Sequence, residues 1–302
     1  MKIAVILTCF NRKQQTLSCL KSLFEARDNY QPKIDLHIFL TDDGCTDGTA
    51  DVVRESFPAE NITILQGDGN LFWAGGMRFA WKEALKKHDE WDAYLLLNDD
   101  TDILLNMFDE ILNTETYCKN KYGKEGIISG ITCSKSDHTK MTYGGDVWVN
   151  KFLAKQKRLK PSTEPQMCDM TNANILFVPK TITDKIGTFD EHFIHGVADY
   201  DYTMTARAKD IPVLVTANFC GACDNDHDAY DDQLSKILSM TFSERKKYFS
   251  FPPRSGKDHL HFIKKHLPLR FPLVWMGTKL KHYTPEIYCW LHGIRKGFSK
   301  TR

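Results

Sequence analysis

Short apolar runs alternate with helix-like segments through the first third of the chain, and this alternation restricts the fold. The runs KIAVILT, DLHIFLTDDG, NITILQG and AYLLLND each end in a turn or in polar residues. Helical spacing fills the gaps between these runs, as in the segment through Thr16, Leu17, Leu20, Leu23 and Phe24 and in a helix predicted from about Thr46 to Phe57. Runs this short and apolar are typical of parallel strands covered on both faces. The pattern predicts an open α/β sheet with a ligand crevice at the carboxyl ends of its strands.

The remainder of the chain continues this pattern and then changes character. It predicts a helix from Ile103 to about Lys119, strands at GIISGITC, ANILFVP and IPVLVTA, and a helix opened by Pro179. After Asp232 the sequence becomes helical, basic and aromatic. We therefore predict an α/β domain over residues 1–231 and a helical, basic C-terminal extension over 232–302.

Composition excludes several classes of protein. The 302 residues carry 40 Lys and Arg against 39 Asp and Glu, a net charge of +1 that does not favour nucleic acid as a partner. Nine scattered cysteines favour reduced thiols in a cytosolic protein, and the single CxxC at Cys220 and Cys223 is interpreted as ordinary packing. The apolar N-terminus is interpreted as a first strand and not as a signal peptide. No run approaches the roughly 20 apolar residues of a membrane span.

Acidic residues follow the fourth apolar run directly, in LLLNDDTD. Asn98, Asp99 and Asp100 would stand at a strand end, where hard oxygen ligands suit Mg²⁺ or Mn²⁺ bridging phosphates. Alternatively, Asp100 or Thr101 caps the helix that begins near Ile103. Both readings stay open on this stretch alone.

Two further stretches have the character of a nucleotide site. In TDDGCTDGT, Asp42 ends the second strand, and a carboxylate there can accept from a base or a ribose hydroxyl, although a turn and cap explain it equally. In GNLFWAGGMR, Gly75 and Gly76 are predicted to open a helix and aim amide groups at an anion, with Arg78 adding charge. Neither a dinucleotide fingerprint nor a P-loop is present.

Taken together, these stretches resemble the inverting family 2 glycosyltransferases of the GT-A (Rossmann-like) fold. TCFNR and TDDGCTDGT are similar to the family's nucleotide-binding pair, GNLFWAGGMR to its N-x-G-x-x-G-G-x-N segment, and LLLNDDTD to its D-x-D. IGTFDEHFIHGVADYDYTMTARAKD resembles its G-x-F-D-E…E-D-x-D…R signature. Asn98 at the first D-x-D position resembles the rhamnosyl- and galactofuranosyltransferase branch. The matches keep the family's order from Met1 to about Tyr230.

The resemblance implies roles for individual residues. Asp199 aligns with the catalytic base, although Ala198 replaces the glutamate before it, and Asp100 aligns with the metal ligand for Mg²⁺ or Mn²⁺. His227 is assigned to the metal or phosphates, with a solvated loop residue as the alternative. The nucleotide-binding set comprises Thr8, Asn11, Arg12, Asp42, Asp43, Asn70, Gly75, Gly76, Arg78 and Asp99.

Four residues are assigned to the donor or acceptor sugar. Trp73 would form a wall against the sugar or else belong to the core. Asn172 and Asn174 would face the donor sugar or else occupy a turn. Asp201 is interpreted as a helix-start or acceptor-binding residue, with the catalytic base as the alternative.

The predicted function is metal-dependent, inverting transfer of a sugar from a UDP- or dTDP-sugar to a glycan or lipid-linked acceptor, in bacterial surface polysaccharide assembly. The basic aromatic tail would contact an anionic leaflet, at the inner face of the plasma membrane. One rival is a nucleotidyltransferase, which would want a glycine-rich loop after the first strand, whereas TCFNRKQQ has no glycine. The other is a non-catalytic binding protein of the same fold.

Overall fold

A computed structural model describes residues 1–31, 33–225 and 230–291. The chain forms two compact units, Met1–Asn225 and Asp226–Arg302. The helices of the first unit are α1 (Lys13–Asn29), α2 (Thr49–Ser56), α3 (Phe72–Leu85), α4 (Met107–Tyr122), α5 (Lys180–Ile186) and α6 (Ala198–Ala208). Its strands are β1 (Lys2–Cys9), β2 (Asp35–Asp42), β3 (Ile62–Gln66), β4 (Ala93–Leu97), β5 (Asp102–Ile103), β6 (Ile127–Cys133), β7 (Gly145–Asn150), β8 (Lys155–Arg158), β9 (Gln166–Met167), β10 (Met170–Thr171), β11 (Ile175–Pro179) and β12 (Val213–Ala222).

Nine of the strands in the described ranges form one sheet, in the order β3-β2-β1-β4-β11-β6-β12-β5, with β9 also paired to β12. Strands β1 to β4 pair in parallel. β6 and β12 pair in parallel with each other, and β11 is antiparallel to both β4 and β6. Six strands thus share one direction. The predicted α/β fold, a mostly parallel central sheet flanked by helices, is confirmed and is consistent with the GT-A type.

The direction of β11 brings a new segment to the ligand edge of the sheet. The run ANILFVP predicts a buried strand, but apolar content carries no information about direction. In the structure Ile175 at the start of β11 pairs with Leu97 at the end of β4. The residues just before β11, 172–174, consequently lie beside the residues just after β4.

Two helices begin later than the sequence pattern predicts. The helix expected from about Ile103 begins at Met107, because Asp102–Ile103 pairs with β12 as β5. The helix expected from about Thr46 begins at Thr49, after Gly48 takes a left-handed φ of 79°. In both cases pairing or turn geometry outside the helix determines where it starts.

Helix α3 packs closely on β1 through Gly76. A Cβ at this position would lie 2.2 Å from Thr8 Oγ1 and 2.8 Å from Thr8 Cβ, and the Gly76 carbonyl accepts from the Thr41 hydroxyl over 2.8 Å. Only a glycine allows this approach between the helix and the strand.

Gly76→Ala is expected to destabilise the fold by about 1–3 kcal/mol, because the added methyl group overpacks the contact with Thr8. The matched control is Gly75→Ala in the same helix, where the nearest atom to a new Cβ is Leu71 Cβ at 3.5 Å. Since alanine is the better helix former, that change should be neutral or stabilising by up to about 1 kcal/mol. Urea unfolding of both variants measures the difference, and equal midpoints would contradict the packing argument.

A smaller sheet of three strands, in the order β10-β7-β8, stands beside the main one. It contacts α6, where the amide N–H of Thr171 on β10 donates to the hydroxyl of Thr203 over 3.3 Å. Asp146 at the start of β7 is buried and forms an ion pair with Arg158 on β8, at 2.9 Å between Nε and Oδ1. This sheet therefore rests on the helix that carries Asp199.

The second unit contains α7 (Tyr230–Ser239), α8 (Phe242–Ser250), α9 (Lys257–His266) and α10 (Phe271–Tyr283). A capping box between Thr241 and Glu244 starts α8. Trp275 and Trp290 are exposed, and Lys279 Nζ lies 5.7 Å from the Trp275 ring. None of the helices in the described ranges combines the length and apolarity that a membrane crossing needs.

All nine cysteines lie within the described ranges, and each is a free thiol. Cys220 and Cys223 are both buried, and their Sγ atoms donate to different groups: Thr216 Oγ1 and Asp100 Oδ1 respectively.

Candidate active site

The stretch Asn98–Asp100 leaves β4 at the carboxyl edge of the sheet, where three segments meet. The amide N–H of Asn98 donates to the carbonyl oxygen of Asn174 over 3.2 Å. The indole N–H of Trp73 donates to Asn98 Oδ1 over 2.9 Å. Asn98 thus joins the segment before β11 to the first turn of α3.

A cationic side chain lies against the two acids of this stretch. Arg12 Nη1 is 2.6 Å from Asp100 Oδ2 and 3.4 Å from Asp99 Oδ1. Burial raises the pKa of Asp99 to about 7; the charge of Asp100 adds to this rise, while Arg12 and the hydroxyl of Thr16 oppose it. Burial lowers the pKa of Arg12, but the two carboxylates outweigh it and raise that pKa overall. Arg12 was assigned to the nucleotide set, and in this conformation it neutralises the acids.

Asp43 holds the loop that leads into α3. Its carboxylate accepts the amide N–H groups of Gly69 at 2.9 Å, Leu71 at 3.3 Å and Phe72 at 2.9 Å. Asp42 is also buried, and its Oδ1 accepts the amide N–H of Cys45 at 2.7 Å. The two acids therefore shape the loops after β2 and before α3, which are the walls of the predicted nucleotide site.

The loops after β1 and β2 are joined by Asn11. This residue has a φ of 52°, and its Oδ1 accepts both the amide N–H of Thr46 at 2.7 Å and its hydroxyl at 3.2 Å. Thr8 is buried beneath α3, and its hydroxyl lies 3.4 Å from the carbonyl oxygen of Thr41. Asn70 is exposed, and its side chain donates to the carbonyl oxygen of Asp68.

The prediction that Gly75 and Gly76 open a helix is wrong. Helix α3 begins at Phe72, so both glycines are buried within it, and the amide N–H of Gly75 donates to the carbonyl oxygen of Ile194 over 3.3 Å. An amide already bound inside the fold cannot point at an anion. The helix starts earlier because the Asp43 carboxylate caps it from a distant part of the sequence.

Arg78 also has a place different from the predicted one. Its Nη1 donates to the carbonyl oxygens of Phe193 at 2.9 Å and Asp190 at 3.2 Å. These carbonyls belong to the loop between α5 and α6. Arg78 therefore helps to hold in position the loop that precedes Asp199.

Asp199 lies in the first turn of α6 and is only partly exposed. Its carboxylate accepts the amide N–H of Ala173 at 3.1 Å and of Tyr200 at 2.8 Å, and it also hydrogen-bonds the side chain of Asn172. Burial raises the pKa of Asp199 to about 6, although these hydrogen bonds oppose the rise. Val197, just before the helix, has a φ of 56°, which a β-branched residue rarely adopts. The backbone is therefore strained at the residue that precedes α6.

Asp201 is 2% exposed, one turn into the same helix. In this conformation an acceptor cannot reach its side chain, so the structure does not support the acceptor-binding assignment.

Trp73 is partly exposed and lies 5.5 Å from the Phe189 ring, so one side of it packs on the core while its indole N–H faces Asn98.

Two residues at this edge were missed by the sequence reasoning. Cys223 follows β12, and its Sγ lies 3.4 Å from Asp100 Oδ1 and 3.6 Å from Asn174 Nδ2. Lys135 follows β6, and its Nζ lies 2.8 Å from Asp102 Oδ2. The predicted strand GIISGITC already places Lys135 at this edge, whereas Cys223 follows its strand only once β12 extends past Ala217 to Ala222.

The donor set at this edge fits a divalent cation. Asp100 offers carboxylate oxygens, and Asp99 lies beside it. The positively charged guanidinium of Arg12 already lies next to both carboxylates. Arg12 would have to leave Asp100 Oδ2 for a metal to bind there. His227, the other predicted ligand, lies outside the described residues.

Comparison with known proteins then points to one family for part of the chain. Residues 4–112 match the family model "Glycosyl transferase family 2". This segment contains Arg12, Asp42, Asp43 and Asp100, whereas Asp199 lies beyond it. A search among curated proteins found no significant match.

Among solved structures, the crystal structure of S. aureus TarS residues 1–349 is similar, with a TM-score of 0.53 and 14% identity, covering 95% of this chain and 88% of that one. A second crystal structure of S. aureus TarS has a TM-score of 0.49 and 16% identity, covering 85% of this chain. This chain spans 44% of the length of that second structure. Likeness at this level of identity concerns the fold alone.

Proposed function

We propose that this chain is a metal-dependent, inverting glycosyltransferase. It would transfer a sugar from a nucleotide-diphospho-sugar, with UDP- or dTDP-sugars as the first candidates, to a hydroxyl of a glycan or lipid-linked acceptor. Rhamnosyl and galactofuranosyl donors are the first to test. The proposed setting is bacterial surface polysaccharide assembly at the cytoplasmic face of the plasma membrane, with residues 232–302 contacting the acceptor or the membrane.

One observation carries this proposal: residues 172–174 connect two carboxylates from distant parts of the sequence. The amide N–H of Ala173 binds the Asp199 carboxylate, and the carbonyl oxygen of Asn174 binds the amide of Asn98, two residues before Asp100. A transferase of this kind needs one acid near the diphosphate and another near the attacking hydroxyl. The match of residues 4–112 to the family model supports the first half of this arrangement.

The environment of Asp199 suits a general base. A carboxylate with a pKa of about 6 is ionised at neutral pH and is a stronger proton acceptor than an ordinary aspartate. Its hydrogen bonds to Ala173 and Tyr200 fix the direction of the carboxylate, and its partial exposure leaves an approach for a hydroxyl. Asp199 would therefore accept the acceptor's proton as the sugar is transferred.

Asp100, with Asp99 beside it, would hold Mg²⁺ or Mn²⁺, which supplies charge stabilisation to the departing nucleotide diphosphate. Before that, Arg12 keeps these acids neutralised. When Arg12 leaves Asp100, its guanidinium becomes available to the phosphates, which it can bind through two parallel hydrogen bonds. The loops held by Asp42, Asp43 and Asn11 would enclose the base and ribose.

Thermal unfolding in the presence of nucleotides tests the proposal. UDP or dTDP with Mn²⁺ is expected to raise the melting temperature by several degrees, because saturation at about 100 times Kd stabilises a protein by about 2.7 kcal/mol. EDTA should remove most of the shift, and GDP and CDP serve as matched controls. No shift with any nucleotide diphosphate or sugar conjugate would favour the non-catalytic binding protein. A shift with nucleoside triphosphates alone would favour the nucleotidyltransferase.

A further inference from the structure

The turn that joins β7 to β8 places large apolar side chains in solvent. Val149 is 56% exposed, Phe152 70% and Leu153 64%. Single exposed apolar residues are common on soluble proteins, but three within five residues at one tip form a patch.

The tip is ordered by its own hydrogen bonds. Asn150 Oδ1 accepts the amide N–H of Leu153 over 2.9 Å, and the carbonyl oxygen of Lys151 accepts that of Ala154 over 3.1 Å. Ala154 has a φ of 47°, which closes the turn. The backbone therefore presents Phe152 and Leu153 outward in a fixed shape.

Positive charge surrounds this tip without any neighbouring acid in the sequence. Between Asp146 and Glu164 there is no acidic residue, whereas this interval contains Lys151, Lys155, Lys157, Arg158 and Lys160. Arg158 is bound to Asp146, but Lys151, Lys155 and Lys157 are exposed. An apolar tip with a basic collar matches the boundary of an anionic bilayer, where acyl chains lie beneath negative headgroups.

We propose that the β7–β8 hairpin inserts its tip, Phe152 and Leu153, into an anionic membrane surface, with Lys151, Lys155 and Lys157 at the headgroups. A soluble polyanion would satisfy the lysines but leave the apolar tip in water, so a membrane is the better fit. The inference concerns a surface distinct from residues 232–302, and it holds whether or not the chain transfers a sugar.

The root of the hairpin explains why such a contact would matter. Asp146, at the start of β7, accepts the phenol of Tyr200 over 3.4 Å, and Tyr200 follows Asp199 directly. The amide N–H of Trp148 donates to the Asp169 carboxylate over 2.7 Å, which fixes the hairpin to the residue just before β10. The hairpin would therefore hold the Asp199 end of the sheet near a bilayer, where a lipid-linked hydroxyl is found.

Sedimentation of the full chain with lipid vesicles tests this directly. The protein is expected to bind phosphatidylcholine vesicles that contain phosphatidylglycerol and to bind pure phosphatidylcholine much more weakly. F152S/L153S should lower vesicle affinity at least about tenfold through lost apolar insertion. K151Q/K155Q/K157Q should lower it by about 100-fold at low salt, at roughly fivefold per lysine.

Matched variants distinguish this hairpin from the rest of the surface. F79S/L105S removes two other exposed apolar side chains, and K21Q/K33Q/K140Q removes the same charge elsewhere; both should bind as the wild type does. The proposal is overturned if the tip variant binds vesicles normally, if the wild type binds neither vesicle, or if only K264Q/K265Q in α9 reduces binding. Equal loss in the control variants would also overturn it.

Discussion

Asp199→Asn is expected to lower sugar transfer by about 10³-fold, the contribution typical of a positioned general base. The amide cannot accept the acceptor's proton, and its single oxygen can accept from only one of the two amide N–H groups, of Ala173 and Tyr200, that bind the separate carboxylate oxygens. Nucleotide affinity, measured by calorimetry with Mn²⁺, should remain near the wild-type value. Transfer at the wild-type rate would refute the assignment of Asp199 as the base.

The pH dependence provides an independent check on the same residue. Since burial raises the pKa of Asp199 to about 6, the ionised base is lost as the pH falls below that value. The wild-type rate should then drop tenfold per pH unit below about 6, and the residual rate of Asp199→Asn should lack this dependence. Asp201→Asn serves as the comparison: if it alone abolished transfer, the base would be Asp201.

The stability of Asp199→Asn should change far less than its activity. The pKa of Asp199 is higher in the folded state than its ordinary value of 3.8, so the folded protein loses stability as the pH rises from about 4 to 6. Asparagine carries no such cost. Relief of this cost favours Asp199→Asn at neutral pH by on the order of 1 kcal/mol, but the lost hydrogen bond to Ala173 or Tyr200 costs about as much, so the free energy of unfolding should stay close to the wild-type value. A lower melting temperature would indicate that the variant has lost structure, and its activity could not then be interpreted.

Asp100→Ala is expected to be nearly as damaging, with transfer lowered about 10²–10³-fold, because charge stabilisation of the leaving group contributes several kcal/mol. The decisive measurement is nucleotide affinity with Mn²⁺ and with EDTA. Wild-type affinity should depend strongly on the metal, whereas in the variant the two affinities should converge. An unchanged dependence on Mn²⁺ would refute Asp100 as a ligand.

Asp102→Asn provides the matched control in the same stretch. The Asp102 carboxylate accepts from the Ser18 hydroxyl at 2.7 Å and pairs with Lys135 at 2.8 Å. Its oxygens therefore bind Ser18 and Lys135, and not Arg12, which binds Asp100. Its removal should leave the metal dependence of nucleotide binding intact. A loss equal to that of Asp100→Ala would mean that negative charge in general, and not ligation by Asp100, controls binding.

Several features of the site could be read from local sequence. A strand end followed by acid is visible in LLLNDDTD because an apolar run cannot continue into charge without leaving the sheet. Parallel strands place their carboxyl ends at one edge, so Thr8, Asp42 and Asp100 could be grouped without coordinates. Asp199 can be identified as the candidate base only through the resemblance to a family, since no local pattern distinguishes it from Asp201.

Other features depend on contacts between distant residues. Helix α3 begins at Phe72 because the carboxylate of Asp43, 29 residues earlier, caps it. Arg78 turns toward the carbonyl oxygens of a loop more than a hundred residues later. Local helix propensity identifies neither Asp43 nor these carbonyl oxygens as partners. From local sequence, Gly75 and Gly76 are therefore predicted at a helix start and Arg78 beside an anion.

The sequence by itself determined the alternation of buried strands and helices, and with it the α/β class and the edge where the acids gather, because these follow from hydrophobic periodicity along the chain. Only the tertiary structure decided that β11 runs against its neighbours. That reversal brings residues 172–174 between Asn98 and Asp199. Arg12 reaches Asp100 from the end of β1, which pairs with β4 in parallel, and Cys223 reaches it from the end of β12. Strand direction and long-range pairing are selected by the packing of the whole core, which no short stretch of sequence contains.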